Sequence, residues 1–168
     1  AIATARTFAP DGDGTVVIGR DTRRSGEMIE AALVSGLTSM GLTPNLAGVV
    51  PTPAVAMTTR VSGARFGLMV SASHNKFEDN GIKLFSPEGL KFDDTTEEAL
   101  EAAMATAFDG DYVAPAMISI PQRMAGVGDD YVRSCLATVN ATNKIQGMKV
   151  VLDCAHGAGF EVAPEALL

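Results

Sequence analysis

The chain has 168 residues, enough for one domain or for one domain and part of another. Hydrophobic residues make up 46% and charged residues 20%, with no Trp and two Tyr, so the composition supports an aliphatic globular core. A formal charge of −7 opposes a nucleic-acid backbone, and no apolar run approaches the roughly 20 residues of a membrane helix, which sets nucleic acid and membrane aside as partners but leaves a small phosphorylated ligand open.

The N-terminal residues carry no signal-peptide pattern and no initiator Met, so the true start is expected to be missing. The β-branched run at 16–19 follows a turn-rich segment and predicts a buried strand. A polar loop at 21–26 leads into Met28, Ile29, Ala32, Leu33, Gly36, Leu37 and Met40, whose spacing predicts a helix capped by Ser25 and ended by Gly41. A second strand is expected over 45–50. A helix opening at Thr52 with Pro53 in its first turn should follow to about Val61. The apolar run 66–70 predicts a third strand, 71–80 a polar loop, and 82–85 a short returning strand closed by a turn at Ser86-Pro87-Glu88-Gly89. Asp93 or Asp94 should cap an acidic helix to about Thr106.

The Gly-, Pro- and Asp-rich stretch 108–128 reads as a connector. Asp129 or Asp130 then begins a helix to about Val139, Lys149 to Asp153 a strand, and Val162 or Pro164 a final helix. Strand and helix alternate, which predicts right-handed crossovers and an α/β fold with a mainly parallel sheet flanked by helices. The division expected is 1–128 for a first domain with its connector, and 129–168 for a linker helix and the opening βα unit of a second, similar domain. That unit has no partner strand of its own, and the chain is read as a truncated protein. Cys135 and Cys154 lack metal-ligand spacing. They read as buried free thiols suited to a reducing cytoplasm.

Chemistry concentrates in Ser71-Ala72-Ser73-His74-Asn75-Lys76, directly after an apolar strand, and in Lys83 on the strand that returns. In a parallel sheet, loops beyond the C-terminal strand ends face the ligand crevice. Ser73 is the candidate nucleophile or phosphoryl carrier, His74 the group that orients or activates it, and Lys83 the cation or proton donor. By spacing alone, a solvated polar loop with a Ser-capped turn is the more economical reading.

Order along the chain changes that balance. Ser71-Ala72-Ser73-His74-Asn75 followed by Asp79-Asn80-Gly81-Ile82-Lys83 resembles the active-site serine loop of the α-D-phosphohexomutases. Gly19-Arg20-Asp21-Thr22-Arg23-Arg24-Ser25-Gly26 is similar to the loop after that family's first strand. Pro51-Thr52-Pro53-Ala54-Val55-Ala56 resembles the helix start of its glucosamine-specific branch, and Val150-Val151-Leu152-Asp153-Cys154-Ala155-His156-Gly157-Ala158-Gly159 the opening of its second domain. The resemblance implies that Ser73 carries a phosphoryl group, that Lys83 is the general acid or base, and that Arg23 approaches the phosphoserine. It also implies interconversion of glucosamine-6-phosphate and glucosamine-1-phosphate through a bisphosphate. Mg²⁺ would be bound through phospho-Ser73, with its other ligands beyond Leu168.

A phosphomannomutase or phosphoglucomutase, or a phosphate-binding domain without activity, are the alternatives. A Ser-His hydrolase is a weaker one, since no Gly-x-Ser-x-Gly elbow is present. The partner implied is a phosphorylated hexosamine, with a homodimer left open. Lys76 stands where the family has Pro, and His156 where it often has Asn. The family's N-terminal Gly-Thr-Asp-Gly segment is not matched. Asp11-Gly12-Asp13-Gly14 has the letters of the family's metal loop but precedes the first strand, and reads as a solvated turn.

Overall fold

A computed structural model describes residues 1–139 and 147–168; the segment 140–146, inside the second unit read from the sequence, lies outside the described residues. The elements run α1 (Ile2–Phe8), β1 (Thr15–Arg20), α2 (Gly26–Thr38), β2 (Thr43–Val49), α3 (Thr52–Ser62), β3 (Phe66–Val70), β4 (Ile82–Phe85), α4 (Asp94–Met104), β5 (Gln122–Arg123), α5 (Val127–Thr138) and α6 (Val162–Glu165). The strands form one sheet in the order β4-β3-β1-β2-β5, parallel except for β4, which runs antiparallel to β3. The mainly parallel α/β architecture expected from the alternation is present.

The period-2 geometry of strands sorts the core onto two faces. Val16, Ile18, Phe66, Leu68 and Val70 point to one side and pack with Leu33 and Leu37 of α2 and Ala5 of α1. Val17 and Met69 point to the other and pack with Ala54 and Val55 of α3. Both faces are covered, so the central strands are apolar throughout, with β3 buried at every position. Helix and sheet approach closely at two glycines. A Cβ on Gly19 would fall on the Val55 side chain, and one on Gly67 on the Thr59 hydroxyl.

Four features differ from the sequence reading. The first is α1, which lies in the N-terminal segment read as turn-rich. Its last residue, Phe8, stacks on Phe92 at 4.4 Å, and the helix packs against α4, so tertiary contact supplies what seven residues cannot supply alone. The second is β5, two exposed residues within the connector that pair with β2. Third, Ser25 sits at the N-cap of α2 without a side-chain cap bond, because its hydroxyl accepts from Asn80 Nδ2 at 2.8 Å. Finally, residues 149–153 form no strand. Val151 is 98% exposed, as expected for a β-branched run with no neighbouring strand to complete its hydrogen bonds. The helix read as part of the second unit, α5, packs on α3, with Val127 buried in the second face of the core.

Candidate active site

The site is built where β1 and β3 end side by side. Arg20 pairs with Val70 in the parallel register, so the loops that follow the two strands leave the sheet together. Asp21 anchors one to the other through its N–H, which donates to the Val70 carbonyl at 3.0 Å. After β3 the chain makes an eleven-residue excursion at 71–81 and returns as β4, which places Lys83 opposite Met69. The Ser71 N–H donates to the Gly81 carbonyl at 2.9 Å and closes the base of the loop.

Within that loop Ser73 has φ 56°, a left-handed conformation that costs a non-glycine residue of order 1–3 kcal/mol and collects at functional sites. Its N–H donates to the Ser71 hydroxyl at 3.0 Å. Its own hydroxyl receives a hydrogen bond from Lys83 Nζ at 2.5 Å. Ser71 is buried and Ser73 exposed, so the inner serine shapes the backbone and the outer one is open to a ligand.

Arg23 also meets the loop. Its side chain is 9% exposed, pairs with Asp21 at 3.0 Å, and reaches the Ser73, Asn75, Lys76 and Asp79 carbonyls. His74 lines the same cleft but makes no hydrogen bond to Ser73 among the described residues; the partner of that hydroxyl is Lys83. The four residues selected from the sequence therefore come together, with Lys83 rather than His74 bonded to the serine hydroxyl. Sequence reasoning missed Asp21, a 7% exposed carboxylate two residues before Arg23, and the Asn80–Ser25 link between the loops. A lone acid directly after a buried strand and two residues before an Arg was the available signal. The Asn80-Gly81 pair is an anchor at the end of the loop. Gly81 is not left-handed, and its N–H is held by Asn80 Oδ1 at 2.9 Å.

The cleft has a volume of about 780 Å³ and is walled by Thr22, Arg24, Thr52, Ser73, His74 and the 155–159 turn. That turn meets the first-strand loop where the Thr22 hydroxyl donates to the His156 carbonyl at 2.5 Å. Ala155 and His156 both have positive φ, and the Asp153 carboxylate accepts from the Ala155 N–H, which makes His156 a turn residue. Asp11 pairs with Arg65 at 2.9 Å, and Asp13 accepts from the Gly14 N–H, so both carboxylates of that turn have local partners.

Among the described residues no three His, Cys, Asp or Glu side chains are placed to hold a metal. Next to Ser73 the described chain offers one hydroxyl beside an ammonium, a donor set that cannot hold Mg²⁺ by itself. An added phosphoryl group would supply anionic oxygens at this point.

Residues 1–110 match the family model described as phosphoglucomutase/phosphomannomutase, alpha/beta/alpha domain I. A phosphoglucosamine mutase of Hyphomonas neptunium is 68% identical over 167 residues, 99% of this chain and 37% of that protein. One from Rhodopseudomonas palustris is 49% identical over 152 residues, 90% of this chain and 34% of its own length. A solved structure of a phosphomannomutase-family protein from Thermus thermophilus superposes over 98% of this chain and 37% of its own, with TM-score 0.80 and 28% identity. The chain thus spans about a third of the length of the curated relatives it matches.

Proposed function

The chain belongs to the phosphoglucomutase/phosphomannomutase family, and from that premise we propose that it supplies the phosphoserine side of a mutase interconverting glucosamine-6-phosphate and glucosamine-1-phosphate. The observation that carries this reading is the Lys83 ammonium 2.5 Å from the exposed, left-handed Ser73 hydroxyl at the mouth of the cleft. The glucosamine substrate is supported by the names of the two relatives above. The family description and the likeness to the Thermus thermophilus structure keep glucose and mannose phosphates as the second reading.

In the donating half-reaction a sugar hydroxyl attacks phosphorus, and the bond from phosphorus to Ser73 Oγ breaks. Lys83 gives its proton to that oxygen as charge develops there. His74, open on the cleft wall, is the base at hand for the sugar hydroxyl's proton. The resulting bisphosphate reorients. Ser73 Oγ then attacks the other phosphorus, with Lys83 taking the proton back and His74 returning its own. An oxygen of phospho-Ser73 would serve as a ligand to Mg²⁺, which when bound would supply neutralisation of phosphoryl charge. The half-buried free thiols of Cys135 and Cys154 suit a cytoplasmic setting.

The test is conversion of glucosamine-6-phosphate by the full-length protein, with mannose-6-phosphate and glucose-6-phosphate in parallel. Ser73→Ala should abolish turnover. Preference for mannose phosphate would transfer the assignment to the second reading, and activity undiminished in Ser73→Ala would end both.

A further inference from the structure

We infer that Arg23, with Asp21 behind it, acts as a clamp that sets the conformation of the serine loop and makes no contact with the transferred phosphoryl group. The inference rests on Ser73 as the phosphoryl carrier proposed above, and goes beyond it by giving this guanidinium a different task from charge neutralisation. A guanidinium has five N–H donors in a rigid planar fork. Here all five are used: Nε on Asp21 Oδ2, one terminal nitrogen on the Lys76 and Asp79 carbonyls, and the other on the Ser73 and Asn75 carbonyls. None remains for a phosphate oxygen. Asp21 holds the fork from behind, since its Oδ1 also accepts the Arg23 backbone N–H at 3.0 Å. Asp21 is in turn tied to the end of β3 through Val70.

The clamp grips four carbonyls between residues 73 and 79, one of them belonging to the residue with positive φ. Ser73 is therefore held at three points: its N–H by Ser71, its carbonyl by Arg23 and its hydroxyl by Lys83. Without the guanidinium the loop relaxes toward ordinary backbone angles and carries Oγ away from Lys83.

The decisive comparison is Arg23→Lys in the full-length protein. Lysine keeps the charge but replaces the five-donor fork with a single ammonium. A clamp predicts that Arg23→Lys loses kcat about as severely as Arg23→Gln, roughly a hundredfold for a displacement near 1 Å, with KM changed less than about threefold. Asp21→Asn should give the same pattern. Hydrogen exchange of the amides at 73–80 should quicken roughly tenfold in Arg23→Lys while exchange in β1 and β3 is unchanged. Activity retained in Arg23→Lys but lost in Arg23→Gln would show that charge matters, and would overturn the clamp. Unchanged exchange at 73–80 would overturn it as well. The exchange measurement needs no turnover, so it stands or falls separately from the mutase reading, which Ser73→Ala tests.

Discussion

At the scale of single residues, the two serines of the loop have divided roles. Ser71 is buried and spends its oxygen on the Ser73 N–H, whereas Ser73 presents its hydroxyl to Lys83 and the cleft. Mass spectrometry of the full-length protein should therefore find phosphate on Ser73, with Ser71 bare. Lys83→Ala removes the cation facing that oxygen. A preorganised donor of this kind is worth about 2.7–4 kcal/mol, so kcat should fall a hundred- to a thousandfold with the melting temperature near wild type. Lys76→Pro should preserve turnover. The loop uses this residue through its carbonyl, which accepts from Arg23 and which proline retains. Abolished activity in Lys76→Pro alongside near-normal Lys83→Ala would reverse the assignment of positive charge in this loop.

At the scale of elements, the close approach of α3 to the sheet depends on absent side chains. Gly67→Ala would drive a methyl group onto the Thr59 hydroxyl, which is itself bonded to the Val55 carbonyl. An overpacked buried contact costs about 1–3 kcal/mol, and a denaturant midpoint shifted down with an unchanged m-value would record it. The start of α4 gives a pH-dependent case. Hydrogen bonds from Thr96 hold the Asp93 carboxyl below its usual range. A lowered folded-state pKa contributes stability above the unfolded value, and that stability is lost as pH falls through the folded one. Asp93→Ala should accordingly lower the melting temperature at neutral pH, and the gap to wild type should close as the solution is acidified through the carboxylate range.

At the scale of the whole molecule, the cleft has one wall from the β1 and β3 loops and another from the 155–159 turn. Arg23 and Arg24 line it among the described residues, and Lys83 reaches it through the Ser73 hydroxyl. The chain spans about a third of the length of its relatives. A 168-residue polypeptide assayed alone for glucosamine-6-phosphate conversion should show no turnover above its Ser73→Ala counterpart. Turnover above that control would mean that this segment carries the whole catalytic apparatus.

Much of the architecture was legible from local pattern. The limits of β3 and β4 follow from short apolar runs bounded by polar loops, and the start of α3 from Pro in its first turn. The residues Ser73, His74, Lys83 and Arg23 were visible as a motif in order. Where local signal was weak, the reading failed. The short helix α1 exists because Phe8 and its neighbours find Phe92 and α4, and the two-residue β5 because β2 offers it an edge. The run 149–153 has strand residues and no strand, for want of a partner.

The sequence by itself determined the strand–helix alternation, the apolar faces and the place of the candidate serine loop, because these depend on periodicity and on residue type at fixed spacing. Only the tertiary structure decided what each polar group does there. Whether Ser73 bonds Lys83 or His74, and whether Arg23 meets a phosphate or four carbonyls, depends on the relative placement of two loops about fifty residues apart in the chain. That placement is set by the parallel pairing of β1 with β3 and the return of β4, long-range contacts that no local pattern encodes.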